Sequence, residues 1–297
     1  VERRDRLSTT EVADVLALAD ICARADGTAP LAEHVRLALR HQSPPGENNT
    51  SHLLIRDADQ ANGELLGYAY LESIDHDTPG MSELCVHPAH RARGIGGALV
   101  SEVVASAPIQ LWAHGDHPSA GALAQRYGLV ASRLLYRMRR RLDTIDSPKL
   151  PAGLTVRTFE VGRDEQSWLD VNARAFAWHP EQGAMTRRDL DQRIAEPWFD
   201  PAGLFLAERD GEVVGFHWTK VHQGERPIGE VYVLGVDPSA QGIGLGGVLT
   251  DIGLAHLKGL GLDAVLLYVD ESNGKAVRLY EKSGFTRWST DVQYTAS

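Results

Sequence analysis

The chain has 297 residues, 43% of them hydrophobic and 24% charged, which is the make-up of an ordinary globular protein rather than a disordered or fibrous one. Forty acidic side chains against thirty basic ones give a formal charge of -10, which argues against a general nucleic-acid binder but leaves room for a local basic patch that holds one phosphorylated ligand. No stretch approaches the ~18–20 uninterrupted apolar residues that a membrane-spanning helix needs, so no association with a membrane is expected. The first residues, Val1-Glu2-Arg3-Arg4-Asp5-Arg6, have no apolar run behind their charges and do not read as a secretory signal. Two cysteines, Cys22 and Cys85, make neither a disulfide framework nor a four-ligand zinc site. They read as buried small apolar residues in a reducing cytoplasm. The length suits two domains of about 140–150 residues better than one.

Taken in chain order, one pattern is written twice. Gly63-Glu64-Leu65-Leu66-Gly67-Tyr68 returns as Gly211-Glu212-Val213-Val214-Gly215-Phe216. Val86-His87-Pro88, Arg91-Ala92-Arg93-Gly94-Ile95-Gly96 and Gly97-Ala98-Leu99 return as Val236-Asp237-Pro238, Gln241-Gly242-Ile243-Gly244-Leu245-Gly246 and Gly247-Val248-Leu249. Tyr127-Gly128-Leu129 returns as Ser283-Gly284-Phe285. Three matches in one order describe a duplicated domain with altered loop lengths. The segment from Leu142 to Gly153 holds Pro148 and Pro151 among polar residues and reads as the linker, so the halves are 1–142 and 153–297. In the second half, 163–175 and 185–195 read as helices, and 204–208 and 213–220 as strands joined by an Asp210-Gly211 turn. A strand over 230–236, a helix over 244–257, a strand over 264–269, a helix over 273–282 and a last strand over 285–294 follow. Strands alternating with helices predict an α/β fold with a mixed sheet.

The glycines carry the chemistry. A strand ending at Val236, then Gln241-x-x-Gly244-x-Gly246, then an apolar helix, lets successive N–H groups converge where the positive end of the helix also points. That is a phosphate-binding design. A Rossmann fingerprint would follow its strand more tightly, and no Walker lysine comes after the glycines. A plain loop remains the alternative for either copy taken alone.

This pattern resembles the acetyl-CoA motif of the GCN5-related N-acetyltransferases, and Asn273-x-x-Ala276-x-x-Leu279-Tyr280-x-x-x-Gly284-Phe285 resembles that family's second signature. Both halves are covered, so the resemblance implies two tandem acetyltransferase domains and acetyl-CoA as co-substrate, with no metal. His179, His217 and His222 show no metal-ligand spacing in any case. The segments 112–115, 179–183, 215–222, 229–238 and 265–269 narrow the resemblance. They imply a small-molecule acceptor, the cysteine α-amine of a cysteinyl-glucosaminyl-inositol, lying between the domains. No oligomeric state can be read, and a monomer is the default.

Acetyl transfer needs a neutral amine, yet an α-amine of pKa ~7.7–8.0 is mostly protonated at pH 7, so a carboxylate helps to strip its proton. Glu230 stands six residues before Val236; six before Val86 stands Gly80. Tyr280 stands four before Gly284, where the first half has Ala124, and Asn273 aligns with His117. The first half therefore reads as non-catalytic and the second as catalytic, with Glu230 as base and Tyr280 as acid. The bland alternatives are a solvated strand glutamate and a core aromatic.

Further roles are implied by the resemblance. Leu234, Gly235 and Val236 would meet the pantetheine arm, Gln241, Gly242, Ile243, Gly244, Leu245, Gly246 and Gly247 the pyrophosphate, and Asn273, Gly274, Lys275, Ala276, Val277 and Arg278 the remaining edge. Leu84, Cys85 and Val86 with Arg91, Ala92, Arg93, Gly94, Ile95 and Gly96 would form a second CoA pocket. Glu33, Glu181, Lys220, Glu230 and Tyr268 would contact the acceptor. The second loop departs from the family in carrying Gln241 and Ile243, so Arg91 and Arg93 look like the stronger phosphate binders. Arg133 to Arg141 reads as a solvated strand edge. An acetyltransferase for an aminoglycoside or a protein N-terminal amine stays open, as does a CoA-binding sensor without turnover.

Overall fold

A computed structural model of the chain describes residues 1–42, 49–57, 63–73, 79–106, 108–145, 148–179, 182–224 and 226–296. They form two compact units, one of Val1–Leu135 with Ser289–Ser297 and one of Tyr136–Trp288.

The first unit runs β1 (Glu2–Arg4), α1 (Thr9–Asp26), α2 (Glu33–Arg40), β2 (Thr50–Arg56), β3 (Leu65–Glu72), β4 (Gly80–Val86), α3 (Ile95–Ser106), β5 (Ile109–Ala113), α4 (Pro118–Arg126) and the start of β6 (Leu129–Arg141). Strands β1 to β4 pair antiparallel in sequence order, and β5 joins β4 in parallel. Ser8 opens α1 with a reciprocal capping box to Glu11, and Gly27 closes it at φ 68°. Apolar residues recur at helical spacing, so Val15, Leu18, Ala19 and Cys22 are buried together against Tyr68 and Tyr70 of β3. Strand alternation sends the neighbours Ala69 and Leu71 into a second cluster, with Leu99, Val100 and Val103 of α3. Helices thus cover both faces of a mixed sheet.

The second unit repeats the plan: β7 (Thr155–Thr158), α5 (Glu165–Ala175), α6 (Arg187–Ile194), β8 (Leu204–Arg209), β9 (Glu212–His222), β10 (Ile228–Val236), α7 (Leu245–Gly259), β11 (Ala264–Asp270), α8 (Gly274–Lys282) and the start of β12 (Thr286–Ala296). Strands β7 to β10 pair antiparallel, with β11 parallel to β10. Asp210 and Gly211 turn the β8–β9 hairpin at φ 55° and 85°, the left-handed pair that such a turn demands. Trp168 of α5 packs against Phe216 and Trp218, while Leu245 and Leu249 of α7 pack with Ala207 and Val214.

The helix expected over 185–195 starts at Arg187 because Thr186 caps it, accepting from the Asp189 N–H. The units also differ in their limits from the repeat halves 1–142 and 153–297. Val292–Thr295 pair with Gln110–Ala113 of β5, so the chain end packs in the first unit. Of the β6 arginines in the second unit, Arg139 and Arg141 are exposed as a solvated edge would have them, but Arg137 is not. Arg137 is buried, its guanidinium 5.6 Å from the Tyr268 ring centroid and 4.7 Å from that of Trp288. Aromatic faces offset part of the cost of taking that charge out of water.

Candidate active site

In the second unit, β10 and β11 pair through Gly229–Val231 with Val265–Leu267. Strand β10 continues to Val236, and its ladder with β9 is irregular between Val231 and Val233. A bulge bends a strand and breaks its pairing. Pairing of β10 with β11 ends at Val231 and Leu267, so among the described residues the backbone of 232–236 is not in register with β11. Both strands run on past that pairing, to Val236 and Asp270, so the ladder is open there. The first unit opens in the same place, since β4 pairs with β5 only through Gly80–Glu83.

Glu230 sits two residues before this unpaired stretch and is buried. Across the ladder it faces Lys220, whose Nζ lies 4.2 Å from the Trp198 ring centroid and 5.0 Å from that of Tyr232. His222, two residues along β9, puts Nε2 2.6 Å from Glu230 Oε2. The imidazole donates here while Glu230 is a carboxylate and accepts, as its Nδ1–H tautomer, when Glu230 carries a proton. Strand pairing thus brings together Glu230 and Lys220, with His222 and Tyr232 beside them. The signal for His222 was present as its alternation with Lys220 on β9, but the pairing register was needed to use it.

The loop after Val236 is built to expose N–H groups. Asp237 accepts from the Ser239 N–H and pairs with Arg174; burial opposes its ionisation, but these bonds hold its carboxyl below the ordinary range. Gly242 and Gly244 take φ 83° and 84°, and Gly244 starts α7 without a side-chain cap. The first N–H groups of a helix have no partner inside it and suit an anion.

The two loops explain each other. Gln241 Nε2 donates to the Val236 carbonyl at 3.4 Å, and Arg91 Nε to the equivalent Val86 carbonyl at 3.2 Å. Glutamine and arginine are interchangeable for this tie. Arg91 is also held bidentately by Asp26 at 2.7 Å, so its charge is already engaged, while Arg93 is exposed. A cavity of about 590 Å³ beside this loop is lined by Leu84, Val86, Gly94, His114 and Leu123. Asn273 and His117 align because both are N-caps, of α8 through Ala276 N–H and of α4 through Ser119 N–H. Lys275 and Arg278 are exposed on α8.

Tyr280 is buried against Phe285, with 5.8 Å between ring centroids, and burial pushes its hydroxyl well above the ordinary phenol pKa. Its counterpart Ala124 is buried too. Tyr268 is 42% exposed and rests on Arg137. Glu33 is the half-buried first residue of α2 in the first unit, and Glu181 lies outside the described residues. Among the described residues, no cluster of three or more His, Cys, Asp or Glu side chains could hold a metal, and no helix is long and apolar enough to cross a membrane.

The profile of the acetyltransferase (GNAT) family matches residues 20–128 and 168–285, one stretch in each repeat. The chain belongs to this family. It is an acetyltransferase of tandem build, and enzymes of this family take acetyl from acetyl-CoA. Relatives named mycothiol acetyltransferase include one from Thermobispora bispora, 56% identical over 94% of each chain. Another, from Streptomyces coelicolor, is 51% identical over 99% of this chain and 94% of its own. A solved tandem GNAT protein from the clavulanic acid biosynthesis pathway shares the fold, with a TM-score of 0.74 at 20% identity over 97% of this chain and 95% of that one. A GCN5-related N-acetyltransferase from Sphaerobacter thermophilus does so with a TM-score of 0.67 at 23% identity over 99% and 94%.

Proposed function

We propose that the second unit transfers acetyl from acetyl-CoA to the cysteine α-amine of cysteinyl-glucosaminyl-inositol, the last step in forming mycothiol. The observation that carries the reading is the Glu230–His222 pair beside the opened β10–β11 edge. The long identity with mycothiol acetyltransferases supports this choice of acceptor.

In this reading the 232–236 backbone holds the pantetheine arm and the thioester carbonyl, and the N-terminal turn of α7 holds the pyrophosphate. Glu230 takes a proton from the α-amine. The neutral amine nitrogen then forms a bond to the thioester carbon as the carbon–sulfur bond breaks, and the second proton it sheds ends on the departing sulfur. His222, 41% exposed beside a carboxylate only 8% exposed, is the route by which the proton reaches solvent. Tyr280 donates a hydrogen bond to the departing sulfur. Lys220, Tyr268, Glu33 and Glu181 contact the hydroxyl-rich acceptor.

The first unit keeps the loop but has Gly80 and Ala124 where the second has Glu230 and Tyr280, so it binds a CoA-type ligand without turnover. Both cysteines are free and buried, in keeping with a reducing cytoplasm.

Purified protein is assayed with acetyl-CoA and a panel of amines, following free thiol with the acceptor's own thiol subtracted. Acetylation of the cysteinyl pseudodisaccharide far above an aminoglycoside or an N-terminal peptide is expected. Binding of acetyl-CoA without turnover of any amine would favour the sensor instead.

A further inference from the structure

The first unit holds three ionisable groups in a row, Glu83 and Asp291 buried and His114 with its side chain 11% exposed, that the proposed chemistry does not use. His114 follows directly on β5; its Nδ1 lies 2.8 Å from Asp291 Oδ2 and its Nε2 3.1 Å from Glu83 Oε1. The outer oxygens are occupied by backbone. Asp291 Oδ1 accepts from the Gly115 N–H at 2.8 Å, and Glu83 Oε2 from the Ala32 N–H at 2.6 Å. Glu83 and Asp291 are 0% and 1% exposed. Burial opposes the charge on His114, but its two carboxylates outweigh it and hold the imidazole pKa up to about 10. Glu83 in turn stays ionised below the ordinary range, against its burial, through His114, His34 and the Ala32 N–H. Buried charges are kept only when they are paired in this way.

The far end of the row is what gives it a role. Ala32 is the N-cap residue of α2, and its own side chain can supply no cap. Glu83 therefore brings the negative charge to this helix start, where a helix favours one. The next residue is Glu33.

We propose that Asp291, His114 and Glu83 form a positioning relay that fixes the start of α2 and, through it, Glu33 for binding the acceptor. The inference rests on the reading of Glu33 as an acceptor contact. It gives the chain's last strand a function in acceptor affinity, since Asp291 arrives from β12, 177 residues beyond His114.

The test uses the full chain and separates KM from kcat. Glu83→Gln keeps the shape and removes the charge. It should raise the acceptor KM about tenfold, the scale of one charged hydrogen bond, with kcat and the acetyl-CoA KM within about twofold. In a Glu33→Gln background the same change should add less than about twofold, because the residue it acts through is already gone. A full additional tenfold in that background, or a fall in kcat with the acceptor KM unchanged, overturns the relay. If Glu33→Gln alone leaves the acceptor KM unchanged, the reading of Glu33 fails and the relay falls with it, whereas an effect of Glu33→Gln without one of Glu83→Gln sinks the relay alone. Should Glu83→Gln not fold, Asp291→Asn at the outer end carries the same cycle, with about a threefold rise expected and an unchanged acceptor KM overturning the proposal.

Discussion

His222 Nε2 lies 2.6 Å from Glu230 Oε2, joining an imidazole that solvent reaches to a carboxylate that it barely touches. A base buried at the mouth of a sheet opening needs a way to discharge each proton it collects. His222→Phe removes the hydrogen bond and the route together. Single-turnover rates should fall about tenfold, the low end of proton-transfer effects, with acetyl-CoA affinity unchanged. Unchanged rates across pH would make His222 a surface residue.

Glu230→Gln keeps the side-chain shape and deletes the basicity. The rate at pH 7 should fall on the order of 10²–10⁴, and the deficit should shrink as pH rises past the ~7.7–8.0 of an α-amine, which then deprotonates unaided. A pH–rate profile of the mutant parallel to that of the wild type would remove Glu230 from the base role.

For Tyr280, burial raises the phenol well above its ordinary value, so full proton transfer to a thiolate near ~8.5 is strongly uphill. What remains is a hydrogen bond that strengthens as charge grows on sulfur. Tyr280→Phe should fold, bind acetyl-CoA as the wild type does, and lose on the order of ten- to a hundredfold in kcat. Weakened acetyl-CoA binding with an unchanged chemical step would mark a packing residue.

Gly94 and Gly244 take φ 88° and 84°, and a Cβ at either would meet nothing within 4 Å. Valine at either position therefore brings backbone strain of roughly 1–2 kcal/mol rather than a clash within the protein. Only Gly244→Val should raise the acetyl-CoA KM of turnover, by about tenfold or more, because only that loop serves the reacting thioester. Equal loss of turnover in both variants at equal Tm would contradict a single catalytic unit.

Stability should fall on both sides of neutrality. The His114 pKa is raised to about 10, so its contribution is complete below the unfolded value of ~6.5 and is lost as pH climbs from there through 10. His52 and His217 are pushed down to about 4 by burial, and the His217 Nδ1 donates to the Leu249 carbonyl. Their contribution is complete above ~6.5 and is lost as pH drops towards 4, each worth on the order of 3 kcal/mol. In Tm measured against pH, His114→Gln should flatten the alkaline flank and leave the acid flank in place.

The amino-acid sequence by itself determined what local backbone geometry demands. The glycines at Gly94 and Gly244 announce a backbone turn between strand and helix, Asn273 aligns with His117, and the repetition of these signals discloses two copies of one α/β plan. Glu230 and Tyr280 stood out because the opposite copy has Gly80 and Ala124. Only tertiary structure decided which distant groups meet. The register of β9 on β10 aimed His222 at Glu230, the pairing of β12 with β5 carried Asp291 to His114, and burial between rings turned Arg137 from an expected solvated edge into a stacked cation. Dihedral preferences act within a few residues and so leave their mark in short motifs. Register and desolvation depend on partners far along the chain, and a buried charge becomes recognisable only once folding has placed its counter-charge beside it.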